Sequence, residues 1–492
     1  MSSEDNKKRK QKRCGGTAVQ SQAKAPDSKV NVKTKKRKIN MKPRESTEWC
    51  KVYWYDTGDT KLPRVLLVGD SIVAGYNDAV AKLLKGRATV AFLASSKCVG
   101  DPAIYRELEF VMNAYRFKLI HFNNGLHGFT TSEDEYAKGL ADYVDAIEAM
   151  SPESKLIWAS STPITVSGSP DKLSPERNPR VCERNRLAAD VMDKHKIPVN
   201  DLYSLMLGRP ELSAGDGYHY NQDGIKVQAE KVAAVITESL IEHEYYQGYR
   251  LKKFFVDACE CMIVEPANPL PGKMWVWKAE FFQAFPAFEL EMLKRGFYLA
   301  FMNVGNTFGC PSAMKHFDIF HSELTGNLGF AKRPVMLGLS RGGLYIYNWA
   351  AKNTDKVACL YADNAVCDFK SWPGGKGKGK GSPSDWLKVQ SDYGFSSEKE
   401  ALEYTGNPID NLEVLAKAGI PLVHTTGTHD EAVPMEENTD ILEERFKKLG
   451  GVIKVFRHPG GHHPHGLENP EPLIDFILKI GIGLGGVFPD KQ

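Results

Sequence analysis

The chain has 492 residues, 42% of them hydrophobic and 25% charged, with a formal net charge of +3. That length exceeds one ordinary core and suits two domains, and the composition is that of folded globular protein. Residues 1–45 hold 15 Lys or Arg against four Asp or Glu, so the rest of the chain is net acidic, with 49 basic and 57 acidic side chains, which argues against nucleic acid as a main partner.

The nine cysteines are scattered, an odd number with no Cys-x-x-Cys pair, so neither a structural zinc site nor a disulfide framework is indicated. No run approaches the ~20 apolar residues of a membrane span. The basic run 7–13 is followed by no apolar segment, so no secretory signal is read and the default compartment is cytoplasmic; a secreted or periplasmic location requires a different start. Residues 1–45 are rich in Lys, Ser, Gln and Asn and are expected to form a disordered basic tail. Its cluster at 33–38 offers at most a weak contact to nucleic acid or another anionic surface.

From residue 64, short apolar runs alternate with amphipathic stretches, the rhythm of an α/β fold with a mainly parallel sheet. Strands are predicted at 64–68, 89–93, 118–122 and 155–159, with a helix at 133–149 behind Thr131 and Ser132 as caps and a closing helix at 222–241. The first strand runs directly into Gly69-Asp70-Ser71. A serine is thereby set at the start of a helix, where free N–H groups and the helix dipole stabilise an oxyanion. Just before the closing helix stands Asp216-Gly217-Tyr218-His219. A spacing of three lets Asp216 orient the ring while His219 takes the serine proton.

These blocks resemble the SGNH (GDSL-type) hydrolase family over roughly residues 62–243. The resemblance implies a flavodoxin-like sheet and an oxyanion hole completed by two further donors. One is a glycine N–H after the second strand, for which Gly100 is the candidate. The other is a side chain of the block Phe122-Asn123-Asn124-Gly125-Leu126-His127-Gly128, in which the family's Asn falls on His127 with Asn124 nearby, so both stay open as donors.

After the charged, Tyr-rich stretch 242–253 a second alternating series begins, with strands predicted at 254–264, 274–278, 297–304, 334–339, 357–361, 421–426 and 452–457. The division is therefore placed between a first domain of 46–247 and a second of 248–492. Cys259 and Cys261 alternate along one strand and are read as packing residues. The Gly/Lys run 374–381 reads as a mobile surface loop. Gly338-Leu339-Ser340-Arg341-Gly342 lies between a strand and an apolar helical stretch at 344–352. This is a Gly-x-Ser-x-Gly turn, whose tight geometry requires small neighbours.

Asp430 follows the 421–426 strand, and the last strand leads into Gly461-His462-His463-Pro464-His465. This half resembles the α/β-hydrolase superfamily over about residues 254–480. In that family a Gly-His pair follows the final strand, which selects His462 as base, with His465 as the alternative. The resemblance places oxyanion N–H groups at Arg341 and near Ala279, and Lys278, Glu280 and Arg341 are further candidates for substrate contact. A metal reading of His462, His463 and His465 is subordinate to the triad, and no metal or cofactor is required by the chemistry.

The expected fold class is thus two doubly wound α/β domains, an SGNH-hydrolase-like sheet and an α/β-hydrolase sheet. The expected activity is serine-dependent ester hydrolysis with two triads. Two esterase-like domains in one chain resemble carbohydrate esterases, so the expected partner is an acylated carbohydrate or small molecule, with Trp372, Trp386 and Tyr393 as sugar-stacking candidates. Two alternatives stand beside this: one domain is catalytically silent and binds substrate, or the second domain is a peptidase or lactonase.

Overall fold

The computed structural model describes residues 46–483. The tail expected at 1–45 lies outside them.

The first half runs β1 (Cys50–Trp54), β2 (Arg64–Gly69), α1 (Ser71–Leu83), β3 (Thr89–Ser95), α2 (Pro102–Met112), β4 (Leu119–Phe122), α3 (Glu133–Met150) and β5 (Lys155–Ala159). A small hairpin of β6 (Thr165–Val166) and β7 (Ser169–Leu173) follows, then α4 (Asn178–His195), β8 (Val199–Asn200), α5 (Leu202–Met206) and α6 (Gln222–Leu240). The sheet order is β1-β3-β2-β4-β5-β8, parallel apart from the antiparallel edge strand β1. Taken over its parallel strands this is the flavodoxin-like order. Both faces are covered because alternate residues of a strand point to opposite sides. Val65 and Leu67 enter one core, while Leu66 and Val68 enter the other. The predicted cap of α3 is Ser132, whose side chain and that of Glu135 satisfy each other's backbone N–H groups.

The second half runs β9 (Glu242–Tyr246), β10 (Tyr249–Val256), β11 (Cys259–Glu265), β12 (Trp275–Lys278), α7 (Ala287–Lys294), β13 (Tyr298–Met302), α8 (Pro311–Ser322), β14 (Val335–Leu339), α9 (Gly342–Ala350) and β15 (Cys359–Asp363). It ends with α10 (Pro383–Tyr393), α11 (Glu398–Glu403), α12 (Leu412–Lys417), β16 (Leu422–Gly427), α13 (Thr439–Lys448), β17 (Ile453–His458) and α14 (Glu471–Phe476). The sheet order is β17-β16-β15-β14-β12-β13-β11-β10-β9, with parallel pairing from β13 to β17 and antiparallel pairing among β9, β10, β11 and β13. Trp275, Trp277 and Met336 face one core, and Val276, Val335 and Leu337 the other. The protein is therefore α/β in both halves, with two doubly wound sheets.

In each sheet the order reverses beside the strand that carries the candidate serine, between β2 and β4 and between β12 and β14. Such switch points leave a crevice at the carboxyl ends of the strands, where ligands bind.

Several expectations change. The single strand expected at 254–264 is a hairpin, turned by Asp257 and Ala258, both with positive φ. A two-residue turn of this hand is usually written Asn-Gly or Asp-Gly, and the alanine hides it. The stretch 242–253, read as a boundary, is itself a hairpin, with its turn at Gln247-Gly248 and β9 forming the charged edge of the sheet. In the Gly/Lys run Lys376, Lys378 and Lys380 pair with Glu398, Glu436 and Glu431 at the surface. Cys261 is fully buried on β11, as packing requires. The two halves meet through Arg87–Glu323 (2.6 Å), Lys118–Glu242 (2.6 Å) and a bond from Ala258 N to Gly86 O (2.8 Å). Among the described residues no helix is long and apolar enough to cross a membrane.

Candidate active sites

In the first half the strand β2, apolar and buried from Val65 onward, ends at Gly69, and Asp70 caps α1 by accepting from Ile72 N at 2.9 Å. Ser71 is thus the first residue of that helix. Its Oγ lies 2.8 Å from His219 Nε2, and His219 Nδ1 lies 2.6 Å from Asp216 Oδ2. A carboxylate accepts only, so Nδ1 carries the proton and Nε2 presents a lone pair to the serine hydroxyl.

The Asp216 loop is fixed mainly by backbone. Asp216 Oδ1 accepts from Tyr218 N (2.9 Å) and His219 N (2.8 Å), and Ala214 N donates to His219 O at 2.9 Å. The β6–β7 hairpin buttresses it through Thr165 N to Gly217 O. A Cβ on Gly217, at φ +93°, would come within 2.7 Å of Thr165 O. Partial burial pushes the Asp216 carboxyl pKa up, but the backbone N–H and ring of His219 outweigh it and hold it below the ordinary value. This triad is open, with the His219 and Asp216 side chains 46% and 50% exposed. Ser71 and His219 border a cavity of about 610 Å³ that His127, Arg177 and Arg180 also line.

The expected oxyanion donors separate here. His127 lines the cavity over Ser71. Asn124 does not; its amide donates to Lys97 O at 2.7 Å and accepts from Val99 N at 3.1 Å, bracing the β3–α2 loop. Gly100 is not among the residues that line the Ser71 cavity, and its backbone nitrogen lies close to Gly139 of α3.

A residue the sequence reading passed over holds this loop. Arg184 on α4 is fully buried, and its guanidinium donates to Gly125 O (2.9 Å), His127 O (2.8 Å) and Gly128 O (2.9 Å). It shares the buried face of α4 with Val181 and Ala188. A charged residue at that helical spacing was the available signal.

In the second half β14 delivers Ser340, which has φ +51°. Its N–H donates to Asp363 O at 2.8 Å and its carbonyl accepts from Val366 N at 2.9 Å, so neighbouring backbone holds a non-glycine residue in the left-handed region. Ser340 Oγ is 2.9 Å from His462 Nε2, and His462 Nδ1 is 2.7 Å from Asp430 Oδ2. Asp430 Oδ1 accepts from Ala432 N and Val433 N at 2.9 and 2.8 Å. This triad is closed: the Asp430 side chain is fully buried and that of His462 is 15% exposed. A cavity of about 330 Å³ above Ser340 is walled by Phe281, Phe285, Leu339, Trp372 and Ala432.

The glycines of the turn differ in need. A Cβ on Gly338 would lie 2.5 Å from Gly342 O, and one on Gly343 would lie 2.7 Å from Val366 O. One on Gly342 meets nothing closer than Glu280 Cβ at 3.5 Å. The two glycines with no room for a Cβ are therefore Gly338 and Gly343, while the Gly342 of the motif has room for one.

Other expectations are corrected. His465 is not the base of Ser340: its Nδ1 is 2.6 Å from Asp363 Oδ1, in a separate buried pair. Ala279 N is engaged with Leu337 O at 2.9 Å, and the next residue of that segment to reach the cavity is Phe281. Lys278 is buried against Glu289 and Ala284 O instead of facing substrate. Glu280 pairs with Arg341 (3.3 Å), whose guanidinium lies over Phe281. Trp386 and Tyr393 pack into the core, whereas Trp372 lines the cavity.

Each constellation contains what acyl transfer through serine needs: a hydroxyl at the start of a helix, a base with its lone pair on that hydroxyl, and a carboxylate fixing the tautomer.

No protein-family model matches the chain, and no curated protein matches it. Solved structures do. A puromycin-hydrolyzing peptidase of Mycobacterium tuberculosis is 13% identical with a TM-score of 0.37, over 51% of this chain and 40% of that one. A protein described as a GDSL-like lipase from Parabacteroides merdae is 15% identical with a TM-score of 0.31, over 35% of this chain and 96% of that one. A Pyrococcus furiosus esterase is 16% identical with a TM-score of 0.31, over 45% and 83%. The chain thus spans two fifths of the peptidase's length. The fold class rests on the sheet orders above.

Proposed function

We propose that the chain is a serine-dependent ester hydrolase with two active sites, Ser71-His219-Asp216 on the first sheet and Ser340-His462-Asp430 on the second. The observation that carries this reading is the pair of unbroken hydrogen-bond chains from hydroxyl to imidazole to carboxylate, one on each sheet.

In each site the serine attacks the ester carbonyl while the histidine Nε2 takes its proton, and the same ring then protonates the departing alcohol. Water, activated by that Nε2, releases the acid from the acyl-enzyme. Oxyanion donors are assigned to the helix start at Ser71 with the His127 ring, and to the Arg341 amide with the Phe281 segment. Neither chemistry requires a cofactor.

The substrate assigned to the open Ser71 site is an acylated carbohydrate. Its cavity is wide and lined by Arg177 and His127, whose side chains carry N–H donors suited to hydroxyl-rich ligands. The aromatic cavity over Ser340 favours a second reading for that site, hydrolysis of an amide or ester next to an apolar side chain.

Hydrolysis of p-nitrophenyl acetate by wild type, Ser71→Ala, Ser340→Ala and the double variant tests the two-site reading. Two partial losses and a silent double variant are expected. A double variant as fast as wild type would sink it. Acetate release from acetylated oligosaccharides, set beside cleavage of apolar p-nitroanilides, separates the substrate readings.

A further inference from the structure

We propose that His462, His463 and His465 form a binding site for Zn²⁺ or a similar transition-metal ion, and that filling it switches off the Ser340 site. The switch rests on the reading of Ser340 as a nucleophile, whereas the binding site rests on the histidines alone.

The three rings form a triangle, with centroids 4.8, 5.1 and 5.0 Å apart and one nitrogen of each within 4.8 Å of the others. Two of them are already oriented as metal ligands are. His462 Nδ1 is held by Asp430 at 2.7 Å and His465 Nδ1 by Asp363 at 2.6 Å, which leaves Nε2 of both as the ligating atom. A carboxylate behind the imidazole fixes the tautomer and raises ligand basicity. The same two carboxylates balance the charge of a divalent cation, and three imidazoles suit Zn²⁺, Cu²⁺ or Ni²⁺ rather than Mg²⁺ or Ca²⁺.

Nitrogens bound at ~2.0–2.1 Å in a tetrahedron stand about 3.4 Å apart, so the triangle has to tighten. His463 is the ring free to do so: it is exposed and stacks on Phe285 (5.6 Å between centroids), whereas His465 is buried and His462 half-buried. All three rings line the cavity that also holds Ser340.

Inhibition follows from one lone pair. His462 Nε2, 2.9 Å from Ser340 Oγ, is the atom that takes the serine proton. Coordinated to a metal, it has no lone pair left for that proton.

The test uses the full chain, with Co²⁺ as the spectroscopic probe and Zn²⁺ as competitor. One equivalent of Co²⁺ should give the visible bands of a four-coordinate centre, Zn²⁺ should bleach them, and His463→Ala should lose them. Absent bands, or bands unchanged in His463→Ala, overturn the site; the latter would place the ion elsewhere, for instance at the partly exposed group Asp145, Glu148 and His195. Labelling of Ser340 by a fluorophosphonate tests the switch: Zn²⁺ should block it, a chelator restore it, and His463→Ala resist the block. Labelling of wild type that proceeds unchanged with Zn²⁺ bound overturns the switch. Failure to label metal-free protein removes the reading of Ser340 and the switch with it, while the Co²⁺ result still decides the site.

Discussion

His465 Nδ1 lies 2.6 Å from Asp363 Oδ1 at the end of β15, and the backbone N–H of that same Asp363 strand's neighbour, Ser340, is held by Asp363 O at 2.8 Å. One residue thus ties the nucleophile turn to the loop that carries both His462 and His465. Asp363 also accepts from Tyr361 Oη and Gly466 N at 2.9 Å each and from Thr425 Oγ1, so its buried carboxylate is fully engaged. The pair is a fastening of the site, distinct from the proton shuttle beside it.

That distinction predicts different losses for two neighbouring histidines. In a Ser71→Ala background, His462→Gln is expected to lower kcat for ester hydrolysis by ~10⁴-fold or more, since the base is removed. His465→Gln should keep kcat within about tenfold of the background, because its amide can still reach Asp363 and the base is intact. Equal losses in the two variants would contradict the assignment of His462.

Asp363 also predicts an acid limb in stability. Burial alone pushes its pKa up, but the bonds from His465, Thr425 and Tyr361 outweigh that and hold it below the ordinary carboxylate range. Around pH ~4 the unfolded chain therefore binds more protons than the folded one at this residue, and its contribution is present above that pH and lost as pH falls through the folded pKa. Asp363→Asn should be less stable at pH 7, by ~3–5 kcal/mol if breaking the buried pair costs its usual amount. Denaturant unfolding from pH 3 to 7 should show a shallower slope with pH for the variant than for wild type.

The two triads differ in exposure, and this predicts unequal dependence on their acids. Asp430 is sealed from solvent, so Asp430→Ala leaves His462 with no partner for Nδ1–H, and a loss near ~10⁴-fold in kcat is expected. Asp216 is half exposed, and water can replace it beside His219. Asp216→Ala, measured in a Ser340→Ala background, should lose at least tenfold less than its counterpart in Ser71→Ala.

Much of this was legible in the sequence because chemistry at a strand end leaves local marks. Gly69-Asp70-Ser71, Asp216-x-x-His219 and the Gly-x-Ser-x-Gly turn each place a nucleophile or base by short-range geometry, and the structure brings each serine to its expected histidine. What escaped depends on contacts between distant segments. Asp363 pairs with a residue 102 positions away, and Arg184 holds a loop 56 or more positions earlier. Edge strands escaped for another reason: Glu242–Tyr246 bears charges on a sheet margin and shows no apolar alternation. Asn124 and His127 were indistinguishable because only two residues of loop, Gly125 and Leu126, separate inward bracing from facing the cavity.

His127 and Asn124 now separate by experiment. His127→Ala is expected to lower kcat at the Ser71 site by ~10²–10³-fold if its ring meets the oxyanion, with little change in melting temperature. Asn124→Ala instead abandons Lys97 O and Val99 N in a buried loop, so its signature should be lost stability of ~1–3 kcal/mol. Parallel kcat and melting measurements in Ser340→Ala protein distinguish the two.

The crowding around the second serine predicts which glycine is dispensable. Gly338→Ala and Gly343→Ala would drive a methyl to 2.5 Å from Gly342 O and 2.7 Å from Val366 O, both backbone atoms that cannot rotate aside. Because Val366 N also donates to Ser340 O, any shift that relieves the clash moves the nucleophile. Each variant should therefore lose ~1–3 kcal/mol of stability together with fluorophosphonate labelling of Ser340. Gly342→Ala meets only Glu280 Cβ at 3.5 Å, an ordinary van der Waals contact, at the first residue of α9. It should label as wild type does and melt no lower; a Gly342→Ala protein as impaired as Gly343→Ala would mean that the turn adopts another geometry.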